Sequence, residues 1–108
     1  MTADDREDDP QEEGWPKEET ATAVLEIVNK KGLHARASAK FVQTVEKFNA
    51  DVKVTRGTET VGGTSIMGLM MLAAATGTTI KVEATGSEAG AVVAALAKLV
   101  ENGFGEDD

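Results

Sequence analysis

From Thr20 onward the apolar residues of this chain switch repeatedly between period two and helical spacing, and the order of those switches limits the fold more than any other feature. Thr22 to Val28 is β-branched and partly alternating, with Leu25 and Ile27 on one face and Val24 and Glu26 on the other, which predicts a strand. After the polar turn Asn29-Lys30-Lys31-Gly32, Phe41, Val42, Val45 and Phe48 recur at helical spacing, predicting a helix from Ala35 to near Asn49. Asp51–Thr55 and Glu59–Gly62, separated by Arg56-Gly57-Thr58, read as a hairpin. Thr64 and Ser65 open a second helix expected over Ile66–Ala75, closed by Thr76-Gly77. Thr79–Ala84 alternates most cleanly and is expected at the centre of the sheet. Thr85 and Glu88 have capping-box spacing, and the stripe Val92, Val93, Leu96, Leu99, Val100 predicts a last helix that stops at Asn102-Gly103. The order β-α-β-β-α-β-α is an α+β class, with amphipathic helices able to cover one face of a mostly antiparallel sheet.

Charge divides the chain. Residues 1 to 20 carry net −7, residues 21 to 105 carry +2, and Glu106, Asp107 and Asp108 subtract three. An acidic segment with two prolines and little apolar content cannot offset its ordering entropy by burial, so residues 1–19 are expected as a disordered tail, 20–104 as the domain, and 105–108 as an acidic C-terminal tail. The N-terminal tail reads either as a solubilising segment or as an arm that screens a basic site or meets a partner through Trp15.

Composition removes several function classes. With no cysteine there is no disulfide framework, thiol nucleophile or cysteine zinc site, and the N-terminus lacks a signal-peptide pattern, so the expected compartment is the cytoplasm. No apolar run reaches the ~20 residues of a spanning helix, and membrane insertion is not expected. The single histidine lacks the partners for metal binding or a Ser-His-Asp arrangement, and no P-loop or kinase signature is present, so no metal and no cofactor is implied. Nucleic-acid binding is disfavoured by the acidic tail and by the absence of aromatic residues from the predicted strands.

What remains is His34, placed where strand gives way to helix. A lone histidine is more often structural than functional, yet a helix start presents unpaired N–H groups and the positive dipole end, Arg36 follows two residues on, and Ala35 and Ala37 leave the ring uncrowded. A neutral ring nitrogen there can attack a phosphoryl donor, and the same N–H groups with Arg36 can hold the added charge.

Gly32-Leu33-His34-Ala35-Arg36, followed about thirty residues later by Ser65-Ile66-Met67-Gly68-Leu69, resembles the HPr family, the histidine-containing phosphocarriers of the bacterial phosphotransferase system, across roughly residues 21–104. The resemblance implies an open-faced β-sandwich with strand order 1-4-2-3 and three helices on one side. It implies phosphorylation of His34 on Nδ1 by a phosphoenolpyruvate-dependent enzyme I, transfer to an EIIA-type protein, and a site role for Arg36. It also matches Ser65 to a serine modified in some members by an HPr kinase/phosphorylase, against the plainer reading of a helix cap. The nitrogen-related branch, whose members serve as regulatory binding modules, is the alternative to sugar uptake. The family's usual proline after the arginine is replaced by Ala37, a residue that helices accept readily. Helical spacing cannot bury all of Ile66, Met67, Met70 and Met71, so Ile66, Met67 and Met70 are candidate docking residues, with core filling as the competing reading, and a monomer is expected. Lys40, Lys47 and Lys53 are candidates for a basic rim.

Overall fold

A computed structural model describes residues 19–106; residues 1–18 of the expected N-terminal tail, Trp15 among them, and Asp107 and Asp108 lie outside the described residues. The elements are β1 (Glu19–Glu26), α1 (Ala35–Val45), β2 (Asp51–Arg56), β3 (Glu59–Gly62), α2 (Ile66–Met71), β4 (Thr79–Gly86), α3 (Ala89–Glu101) and a terminal 3-10 turn (Gly103–Gly105). The strands form one antiparallel sheet in the order β1-β4-β2-β3, so β4 lies inside the sheet as its clean alternation predicts. The α+β class, the open-faced architecture and the 1-4-2-3 order all hold.

Period-two patterning sets which strand residues meet the helices. Leu25 and Ile27, Val52 and Val54, and Ile80, Val82 and Ala84 are buried, while Val24, next to Leu25 on β1, is 67% exposed. Phe41, Val42 and Val45 from α1 and Val92, Val93, Leu96 and Val100 from α3 complete the same core, joined by Leu69 and Leu72. Full burial of a side chain such as Phe41 contributes about 1.5–3 kcal/mol.

Four local expectations need correction. β1 begins at Glu19, ahead of the predicted Thr22, because β4 extends to Gly86 and supplies backbone partners that do not depend on apolar side chains. α2 ends at Met71 and not at Ala75: Ala73 takes a positive φ of 51°, and the chain turns so that the Ala74 carbonyl accepts the Leu33 N–H at 3.0 Å. The capping box is absent, since Thr85 belongs to β4 and Glu88 is itself the N-cap of α3, its carboxylate accepting the Asn49 N–H at 2.7 Å. Finally, the C-terminal stretch does not leave the domain at residue 105, because Phe104 is buried and Glu106 packs against the start of α1.

Candidate functional site

The segment ahead of α1 is shaped by a close approach. Gly32 adopts φ +63°, and a Cβ there would stand 2.2 Å from the Ala74 carbonyl oxygen, so only glycine lets the two loops touch. The contact delivers His34 to the N-cap position of α1, with extended φ/ψ and no side-chain cap hydrogen bond. Its carbonyl accepts the Ser38 N–H at 2.8 Å, while the buried Ser38 hydroxyl donates to the Leu33 carbonyl at 3.2 Å. Helix geometry leaves the N–H groups of Ala35, Arg36 and Ala37 without intrahelical acceptors.

The His34 ring, freed from capping, pairs through Nε2 with the carboxylate of Glu106. Nδ1 makes no hydrogen bond among the described residues. The second carboxylate oxygen of Glu106 accepts from Asn29 Nδ2 at 2.9 Å, and that amide nitrogen also reaches the Gly32 carbonyl at 2.9 Å. Asn29 is almost fully buried, and its carbonyl accepts from the Thr76 hydroxyl. Burial of the Glu106 carboxyl opposes its ionisation, but hydrogen bonds from Asn29 and His34, with the charges of His34 and Lys31, outweigh it and hold the group below its ordinary value of 4.5.

A cleft lined by Lys31, His34, Ala35, Arg36, Lys40, Gly105 and Glu106 opens beside the ring. Arg36 is exposed at this cleft and forms no hydrogen bond or ion pair among the described residues. Lys40 donates to the Phe104 carbonyl at 2.6 Å, whereas Lys47 and Lys53, the other expected rim residues, are exposed and do not line the cleft. His34 also borders a hollow lined by Leu33, Met70, Ala73, Ala74 and Ala75, with Lys31 shared between the two openings. The arrangement has what an anion acceptor needs: a ring nitrogen, a cationic guanidinium and a helix start around one opening.

Ser65 is the N-cap of α2, and its hydroxyl accepts the Gly68 N–H at 2.9 Å. A Cβ on residue 68 would stand 2.9 Å from that oxygen, so Gly68 makes room for the cap. Ile66, Met67, Met70 and Met71 are 41%, 70%, 40% and 71% exposed, leaving Leu69 as the one buried residue of α2. Met70 reaches the hollow beside His34; Ser65, Ile66 and Met67 line neither opening around the ring.

Sequence reasoning placed Asn29 in a polar turn and Glu106 in a tail, and so missed both the ring's partner and the residue that holds that partner. Glu106 is 72 positions from His34, and no local pattern announces such a contact. The signal for Asn29 was fainter still: it is the first polar residue after Ile27 and Val28.

Comparison with known proteins follows the same residues. The family model described as the PTS HPr component phosphorylation site matches residues 21–102. The chain is 51% identical over 84 residues to the phosphocarrier protein HPr of Neisseria meningitidis, covering 78% of this chain and 94% of that protein. It is 46% identical over 83 residues to the corresponding protein of Xylella fastidiosa, covering 77% and 93%. Among solved structures it resembles HPr-C-His from Thermoanaerobacter tengcongensis with a TM-score of 0.78 and 40% identity, over 82% of this chain and 99% of that one.

Proposed function

The chain belongs to the HPr family, the phosphocarrier proteins of the phosphotransferase system, and on that premise we propose that His34 accepts a phosphoryl group from a phosphoenolpyruvate-dependent enzyme I and passes it to EIIA-type proteins. A phosphocarrier is the substrate of its partners and not itself a catalyst. The observation that carries the reading is the unspent cap: His34 occupies the N-cap of α1, makes no cap hydrogen bond, and borders a cleft with Arg36 exposed beside it.

The chemistry follows from that placement. A ring nitrogen attacks the phosphorus, and the transferred oxygens gain the helix N–H groups and the Arg36 guanidinium as partners. Lys31 and Lys40 add positive potential at the same opening. In this reading the carrier unit runs from β1 through Glu106, in the cytoplasm and as a monomer. No helix among the described residues is long and apolar enough to cross a membrane.

Ile66, Met67 and Met70 form the docking ridge in this reading. Unbranched, polarizable methionines adapt to differently shaped partners, which suits a carrier that meets a donor and several acceptors in turn. Ser65, exposed at the foot of the same ridge, is proposed as a regulatory site for an HPr kinase/phosphorylase. A phosphate there would lie at a helix start and leave α2 intact, while placing negative charge on the docking face.

Incubation with enzyme I and phosphoenolpyruvate, followed by mass spectrometry under conditions that spare phosphohistidine, is expected to place one acid-labile phosphate on His34. Labelling that persists in His34→Ala would overturn the assignment. No labelling with an active enzyme I would leave a regulatory module acting through Ser65.

A further inference from the structure

Glu106 is tied down far more firmly than a solvating terminal residue. Only 10% of its side chain is exposed. Lys40 fastens the Phe104 carbonyl two residues earlier, and the Phe104 ring is buried in the core. Asn29 grips one carboxylate oxygen at 2.9 Å. The orientation of that amide is itself determined, because the Gly32 carbonyl and the Glu106 carboxylate both only accept hydrogen bonds, so the amide nitrogen must face them. A line of contacts therefore runs from the core, through Asn29 and Glu106, to Nε2 of His34.

That line has a chemical consequence. A carboxylate can only accept, so Nε2 must present a hydrogen to Glu106. Neutral imidazole carries one N–H, and a proton on Nε2 leaves the lone pair on Nδ1. We propose that Glu106, held in place by Asn29, is the positioning residue that keeps the His34 ring in the Nε2–H tautomer and so presents Nδ1 as the nucleophile. The proposal rests on the reading of His34 as the phosphoryl acceptor. In the transfer, the Nδ1 lone pair forms the P–N bond while the bond from phosphorus to the donor's leaving atom breaks, its electron pair returning to that atom. The Nε2 hydrogen stays where it is, and the positive charge gained by a ring bonded at both nitrogens faces the Glu106 carboxylate. Asn29 touches neither the ring nor the phosphoryl group and acts through Glu106.

The test uses the full chain with 15N-labelled histidine, observed by NMR without phosphorylation at a pH where the ring is neutral. The wild type is expected to show a single Nε2–H tautomer with an observable Nε2 proton. In Glu106→Ala the two nitrogen signals should move toward the average of both tautomers and the proton signal should be lost to solvent exchange. Glu106→Gln, whose amide oxygen still accepts, should restore most of the wild-type pattern, and Asn29→Ala should fall between. Wild-type signals already averaged, or unchanged in Glu106→Ala, would overturn the proposal. The same proteins are then phosphorylated with enzyme I and phosphoenolpyruvate, where Glu106→Ala should react roughly tenfold more slowly, the scale on which loss of an orienting partner acts. A single wild-type tautomer with no phosphorylation at all would sink the carrier reading and leave the positioning contact standing; normal phosphorylation of a ring with mixed tautomers would sink the positioning proposal alone.

Discussion

At the start of α2 the Ser65 hydroxyl is committed to the Gly68 N–H, while at the start of α1 the His34 ring caps nothing and turns to a carboxylate near the far end of the chain. Both residues occupy an N-cap, and both are candidate phosphorylation points. Ser65 is built into its own helix through a bond three residues long, so its structural role is local and any modification must replace that bond. His34 is held from outside its helix, by groups that leave Nδ1 unengaged and the helix N–H groups uncapped. The difference separates a cap spent on its own helix from a cap position whose side chain is held by a distant carboxylate.

Exchanging the two roles gives the largest expected effect. His34→Ala should abolish phosphorylation by enzyme I, whereas Ser65→Ala should retain it; radiolabel transfer from phosphoenolpyruvate to the two variants side by side measures this, and loss in both would break the contrast. Next in size is Gly32→Ala, which must pay the left-handed backbone penalty and push the Ala74 carbonyl away from the new Cβ. A loss of about 2–4 kcal/mol in denaturant unfolding is expected, with phosphorylation falling because His34 is displaced.

Ser65→Ala should cost about 1 kcal/mol in the same unfolding measurement, the usual worth of an N-cap. Ser65→Asp, which can still cap, should unfold within about 0.5 kcal/mol of the wild type while weakening transfer to an EIIA-type acceptor. Equal stability of Ser65→Ala and the wild type would show that the 2.9 Å bond contributes nothing.

The smallest effect is a pH dependence. Glu106 has a lowered pKa in the folded protein, so its contribution to stability is present above its unfolded value, near 4.5, and is lost as pH falls from there through the folded value. Unfolding curves of the wild type and Glu106→Gln should therefore differ at neutral pH and converge on the acid side of that value. A gap that persists into acid would assign the stabilisation to the shape of the side chain and not to its charge.

Local periodicity carried most of the fold. The faces of β1, β4, α1 and α3 were legible because a residue's spacing reports which side of its own element is buried, and Leu25, Val82, Phe41 and Leu96 all fall on the buried side. The placement of His34, Arg36 and Ser65 at helix starts was legible for the same reason, since a helix start is a local event. The errors lie where local preference yields to a distant partner. Ala73 to Ala75 are good helix formers, yet α2 stops short of them so that Ala74 can meet Leu33. Thr85 and Glu88 have the spacing of a capping box, yet pairing with Asp51 and Thr20 draws Thr85 into β4.

Residue spacing along the chain was enough to set the kinds of elements, their order, their inward faces and the presence of one imidazole at a helix start. What that imidazole touches emerges from the packed fold alone. Asn29 and Glu106 look like turn and tail because their neighbours are polar, and a hydrogen bond across 72 positions depends on where two loops are carried by the packing between them. Spacing encodes burial within an element; the meeting of two elements is set by the whole core at once.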